Sequence, residues 1–211
     1  KLCNITICSI YVNPTQFNKS DDFLNYPKKI KDDIQLLEKN NCDILYSPED
    51  VDLYKRDEIA KNYNFNGIEL SLEGKYRPGH FNGMATIVEK LLNIVKPQMV
   101  FFGEKDLQQL MIIKELVKQN NISTKVIGCP IIREKNGLAK SSRNQHLSKT
   151  DRECCGIIYK QLLNFKNLYK KMDLNELKNQ IIINITNGNK IKIEYFELVN
   201  LDTFQIEKTF Q

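Results

Sequence analysis

Residues 99–119 read MVFFGEKDLQQLMIIKELVKQ. Residues 99–102 are uniformly apolar and predict a strand. Gly103 opens a polar turn. From about Asp106 to Gln119 the apolar residues Leu107, Leu110, Met111 and Val117 predict an inward-facing helical stripe. Residues 125–128 predict the next strand. A strand, a crossing helix and a second strand form the repeating unit of a parallel sheet with right-handed crossovers. The stretch therefore sets an α/β fold.

The same alternation extends upstream. Residues 4–12 are apolar and β-branched enough for a buried strand, which Asn13-Pro14 ends. Ile30, Ile34 and Leu37 mark a helix over 28–40, and residues 42–46 form a short strand closed by Ser47-Pro48. Ile87, Val88, Leu91, Leu92 and Val95 line one face of a helix over 83–95, with Asn93 on another side and Pro97 as the stop. In parallel sheets ligands bind beyond the carboxyl ends of the strands. VNPTQF (12–17) and GEKDLQQ (103–109) both follow strands, so both are expected to open on one crevice. After Pro130 the texture changes. REKNGLAKSSRN (133–144) is polar and turn-rich, helical patterns follow at 150–170 and 174–186, and a strand is expected over 191–198. The chain thus divides into a parallel-sheet domain, 1–130, and a small α+β domain, 131–211.

The composition excludes several function classes. Hydrophobic residues make up 41% of the 211, enough for a core, and no apolar run approaches the ~20 residues that span a bilayer. The net charge of +5 comes from Lys interleaved with Asp and Glu, with no basic stripe carrying aromatics, so no nucleic-acid partner and no membrane are expected. Six cysteines lack any Cys-x-x-Cys spacing and only two histidines are present, which argues against a zinc site. Free thiols in a cytoplasmic protein are the simplest reading.

Three segments carry groups suited to chemistry. Gly103 lets a backbone approach a ligand, and the helix beginning after Glu104-Lys105-Asp106 offers N–H groups and a positive dipole end to phosphate. Lys105 can neutralise charge at an attacked phosphorus, and Gln109, a turn further on, can bond a small polar acid. The alternative is a solvated Lys105 beside a helix capped by Asp106. Lys140, Ser141, Ser142 and Arg143 follow a tight Asn136-Gly137 turn and fit phosphate oxygens, or else they begin a helix that Ser148 or Thr150 caps. Asn13 and Gln16 flank Pro14, where their amides can read a hydroxyl or carboxylate, or simply close an Asx-type turn. His80, in RPGHF, serves either as an acid–base group or as a structural hydrogen-bonding histidine.

VNPTQF, DDFLNYP (21–27), RPGHFNG (77–83), KLLNIVKP (90–97), FGEKDLQQL (102–110), SSRN and EYFELVNLDTF (194–204) occur in the order and approximate spacing of pantothenate synthetases, and the chain resembles that family along essentially its whole length. The resemblance implies a Rossmann-like nucleotidyl-transfer domain with a small carboxyl-terminal lid. It implies a cytoplasmic homodimer that adenylates pantoate with Mg-ATP and then passes the pantoyl group to β-alanine, releasing AMP and pyrophosphate. By matching positions, Gln16 and Gln109 would contact pantoate, with Gln16 also near β-alanine, and Asn13 joins them as a substrate-binding candidate. Gly103, Glu104, Lys105, Asp106, Ile132, Lys140, Ser141, Ser142 and Arg143 would bind ATP. Lys105, Ser141, Ser142 and Arg143 would be the catalytic set, and the Mg2+ ligands stay unassigned.

Lys140 stands where the family usually has Met or Leu, and Asn136 where Asp is usual. The quoted chain starts after the family's first strand and His-x-Gly-His motif and stops before its basic tail. Residues 1–211 by themselves are therefore expected to make little or no pantothenate and to be poorly soluble through an exposed sheet edge. Two other readings compete with the ligase. One is an inactive nucleotide- or pantoate-binding remnant, and the other is a different nucleotidyl transferase of the same fold.

Overall fold

The computed structural model describes residues 2–18 and 20–209. They fall into two compact units. The first comprises Lys1–Val100 with Met111–Ile127, and the second Phe101–Leu110 with Gly128–Gln211.

The first unit opens with β1 (Ile7–Ser9), followed by α1 (Ser20–Leu24), α2 (Ile30–Lys39) and β2 (Ile44–Tyr46). β1 and β2 pair in parallel, with Ile7 opposite Ile44, Cys8 opposite Leu45 and Ser9 opposite Tyr46. The register is pinned at its entry, where Thr6 donates from both its backbone N and its hydroxyl to the Asp43 carboxylate at 2.7 Å. The strand expected over 4–12 is therefore much shorter. Pairing lasts only as long as β2, which stops before Pro48 removes a donor. Two short helices, α3 (Asp50–Leu53) and α4 (Glu73–Tyr76), precede the long α5 (His80–Val95). Phe81, Met84, Ala85, Ile87, Val88 and Leu92 of α5 are buried, while Asn93 is exposed as its position on the helix requires. Lys96, left-handed at φ 47°, ends α5 just before Pro97.

β3 (Met99–Gly103), α6 (Leu107–Gln119) and β4 (Lys125–Cys129) realise the strand–helix–strand stretch, with β3 and β4 as sheet neighbours. The phase of α6 differs from the expected one. Leu110, Ile112, Ile113 and Leu116 are buried, whereas Leu107, Met111 and Val117 are half-buried. Four consecutive apolar residues, Leu110 to Ile113, fit several stripes equally well, and packing selects among them.

In the second unit the helical stretch expected over 150–170 divides into α7 (Lys149–Cys154) and α8 (Gly156–Leu168), and α9 (Leu174–Thr186) follows. Leu177, Ile181 and Ile185 of α9 form the core, with Ile158, Phe165 and Leu168 of α8 packed against them. The strand expected over 191–198 is absent. Ile191, Ile193 and Phe196 still pack on that core, but among the described residues the segment finds no strand partner, and only an antiparallel bridge between Val199 and Ile206 forms beyond it. Alternating hydrophobicity was met by packing on a helix instead of by a ladder. Among the described residues no helix is long and apolar enough to cross a membrane.

Candidate functional site

In the first unit, Pro14–Gln16 form a single 3-10 turn after Asn13. Asn13 is only 2% exposed. Its amide oxygen accepts from the Tyr54 hydroxyl at 2.8 Å and from the Thr15 hydroxyl at 3.0 Å. Its amide nitrogen donates to the Gly83 carbonyl at 3.1 Å and to Gln16 Oε1 at 3.3 Å. Both ends of this side chain are thus engaged inside the protein, closing the turn and orienting Gln16. Gly83 permits the arrangement, because a Cβ there would lie 2.2 Å from the Thr15 carbonyl oxygen.

His80, buried at the start of α5, lies with Nδ1 2.7 Å from the Gln16 carbonyl oxygen. A carbonyl only accepts, so Nδ1 carries the proton and the ring holds the turn in place. Arg77 reaches the same carbonyl at 3.4 Å while its other nitrogen bonds Glu73 at 3.1 Å. The RPGHFNG motif is therefore a clamp on Gln16. Beside it lies a cavity of about 260 Å3 lined by Gln16, Phe17, Asn62, His80 and Asn82 among others.

In the second unit, Gly103 closes β3 with an ordinary extended backbone, and a Cβ there would meet nothing within 4 Å. Neither conformation nor packing within the protein calls for glycine at this place. Glu104–Asp106 form a 3-10 turn leading into α6, so Asp106 belongs to that turn and not to a simple helix cap. The Lys105 ammonium sits 3.0 Å from Asp106 Oδ1, with both side chains well exposed. Glu104 lies against β4, where a Cβ on Gly128 would come within 3.0 Å of Glu104 Oε1. Gln108 is buried and Gln109 is half-buried.

Residues 132–140 fold back on themselves around Asn136-Gly137. Arg133 bridges Ala139, Glu134 N donates to the Leu138 carbonyl, and Lys140 N donates to the Ile132 carbonyl at 2.9 Å. Gly137 takes φ +93° under the ring of Tyr159, on which the Arg133 guanidinium stacks at 3.8 Å. Asn136 donates to the Arg152 carbonyl at 2.8 Å, near the end of α7. Ser142–His146 make a 3-10 turn that Ser141 caps by accepting from Arg143 N, and Ser148 caps α7. Ile132, Lys140, Ser142 and Arg143 are exposed and Ser141 is half-buried.

Sequence reading passed over three residues here. Buried Asn144 donates to the Ala139 carbonyl at 3.0 Å and to Glu134 Oε1 at 3.1 Å. Arg152 donates to both oxygens of Glu134, at 2.7 and 2.6 Å. The Arg152 bonds, aided by Asn144 and opposed by partial burial, hold the Glu134 carboxyl below the usual range. The polar residue closing SSRN was the only signal available for this network.

The second unit therefore gathers Gly103, Glu104, Lys105, Asp106, Gln109, Ile132, Lys140, Ser141, Ser142 and Arg143, while Asn13 and Gln16 belong to the first. Among the described residues no group of three or more His, Cys, Asp or Glu could hold a metal ion.

The family model for pantoate-beta-alanine ligase matches residues 1–211. A pantothenate synthetase of Flavobacterium psychrophilum is 42% identical over 199 residues, covering 94% of this chain and 71% of that protein. One from Acetivibrio thermocellus is 42% identical over 202 residues, covering 95% and 72%. The crystal structure of pantothenate synthetase from Thermus thermophilus matches with a TM-score of 0.92 at 30% identity, over 99% of this chain and 76% of that one. Pantoate-beta-alanine ligase from Francisella tularensis, crystallised with beta-gamma ATP and beta-alanine, matches with a TM-score of 0.73 at 44% identity, over 86% and 68%.

Proposed function

The chain belongs to the pantoate–β-alanine ligase family, and from that premise we propose how its residues join pantoate to β-alanine with consumption of ATP. The observation that carries the proposal is the gathering of GEKD and KSSR, two segments some thirty residues apart, in one compact unit. Both offer groups that suit polyphosphate.

In the first step a pantoate carboxylate oxygen attacks the α-phosphorus of Mg-ATP. A P–O bond forms, the bond to the leaving oxygen breaks, and pyrophosphate departs with both electrons. In the second step the neutral β-alanine amine attacks the acyl carbon, AMP leaves, and the amine gives up a proton. Lys105, with Arg143 and the hydroxyls of Ser141 and Ser142, offsets negative charge building on the phosphoryl oxygens. Glu104, Asp106, Ile132 and Lys140 complete the nucleotide contacts. Gln16 and Gln109 give their amides to pantoate. Asn13 acts one step back, since its bond to Gln16 Oε1 leaves the Gln16 NH2 for the ligand.

Magnesium enters as part of the nucleotide. Such an ion would take most of its ligands from phosphates and water with one or two carboxylates, so it needs no all-protein acidic cage, and none is present among the described residues. A cytoplasmic homodimer completes the proposal, and six free cysteines favour a reducing compartment.

Lys105→Ala tests the reading. Pyrophosphate release in a single turnover with pantoate is expected to slow by ~10²–10³, while ATP dissociation weakens far less. Unchanged single-turnover release would reject the role of Lys105.

A further inference from the structure

Resting on the reading of residues 140–143 as a phosphate loop, we propose that Arg152, acting through Glu134 and Asn144, is a positioning residue for that loop. The loop is tied at its start by Lys140 N to the Ile132 carbonyl. It is tied just past Arg143 by Asn144, which bonds Ala139 and Glu134 through its side chain and the Ser141 carbonyl through its backbone N at 3.1 Å. Its far end runs into α7, where the Ser148 hydroxyl accepts from Asp151 N at 3.1 Å. Arg152 N bonds the Ser148 carbonyl at 2.9 Å, and the Arg152 guanidinium returns to Glu134 with two bonds.

The contacts close a ring: Glu134 to Asn144, along the chain to Ser148 and Arg152, and back to Glu134. Asn136 adds a second tie between the hairpin and α7 through its bond to the Arg152 carbonyl. Ser142 and Arg143 present exposed side chains from inside this ring. Donors fixed before the nucleotide arrives cost no ordering at the transition state, so the ring converts a polar loop into a preorganised one. The paired bonds need the planar fork of arginine, which a lysine ammonium cannot reproduce.

The test is a double-mutant cycle on the full-length protein, read as single-turnover pyrophosphate release with ATP dissociation measured beside it. Arg152→Ala is expected to slow release by ~10–10²-fold, the scale of a catalytic group misplaced by about 1 Å, with a much smaller change in ATP dissociation. Arg152→Lys is expected to recover only part of the rate. In a Ser142→Ala/Arg143→Ala background the same Arg152→Ala change is expected to cost less than about threefold, because the groups it positions are gone. Full multiplication of the two effects, or a wild-type rate for Arg152→Ala, would overturn the inference. Should Arg152→Ala fail to fold, Arg152→Lys in the two backgrounds gives the same cycle. A wild-type rate for Ser142→Ala/Arg143→Ala would instead remove the reading of the loop itself, and the positioning role with it.

Discussion

Gln109 is the third residue of α6 and half-buried, so a ligand bond to its amide would form partly out of water. Gln109→Ala is expected to weaken pantoate binding by about 1–3 kcal/mol, the cost of leaving polar groups unpaired, while the ATP constant stays unchanged. Equal weakening of both, measured separately by calorimetry, would show that Gln109 is not specific to pantoate. At this scale the sequence was readable where a residue's partners lie close in the chain. Asn13, Thr15 and Gln16 close their turn within four residues through side-chain bonds, although the Asn13 oxygen accepts from the Thr15 hydroxyl and caps no backbone N–H as an Asx turn requires. The bond from His80 to the Gln16 carbonyl places that histidine on the structural side of its two readings. Glu134 and Arg152 were unreadable because Glu134 sits ten residues before Asn144 and eighteen before Arg152, and ordinary charged residues at such distances leave no pattern.

α5 meets the 3-10 turn of Pro14–Gln16 closely enough that one methyl group decides the contact. Gly83→Ala would drive its Cβ to 2.2 Å from a backbone oxygen, which cannot rotate away. Overpacking of this kind costs about 1–3 kcal/mol, and chemical denaturation of the variant is expected to show a loss of that order. Catalytic efficiency should fall with it, since Gln16 rides on the displaced turn. A variant as stable as the parent would mean that α5 slides without resistance. Helices with a clean periodicity and a proline or capping residue at their ends, such as α2, α5 and α9, were recovered within a few residues. Three short strands, β2, β3 and β4, also fell within two residues of their expected bounds, whereas β1 is much shorter than 4–12 and no strand forms over 191–198, because a strand's length depends on a partner elsewhere in the chain. Residues 191–198 carry the strand pattern and lay it against α9.

For the whole molecule, the titrating groups set a pH window for stability. Hydrogen bonds from Lys90 and the Lys55 backbone hold Glu58 below the usual carboxylate range. Glu89 is low as well, with burial pushing it up and bonds from Lys61 and Tyr63 outweighing that push. Glu134 behaves likewise through Arg152. A carboxylate with a depressed folded pKa contributes stability above its unfolded value of about 4.5 and loses it as pH falls through the folded value. Tyr11 and Tyr63 are raised, by burial first and then by hydrogen bonds to Asp50 and Glu89. The unfolded chain then gives up those protons first, and stability falls once pH climbs past about 10. Thermal midpoints are expected to hold level between these limits and to drop on both sides, and an acid limb beginning near neutral pH would contradict the assignment. Gly103 carries a different consequence for the molecule as a whole. Its backbone, at φ −71° and ψ 133°, is one that any L-residue adopts, and nothing stands near its missing side chain. Alanine there would restrict the denatured ensemble and gain about 0.4–1 kcal/mol of stability. The glycine therefore costs the molecule melting temperature, and Gly103→Ala should return it with a weaker hold on ATP. A higher midpoint with nucleotide affinity intact would show that no ligand needs that space.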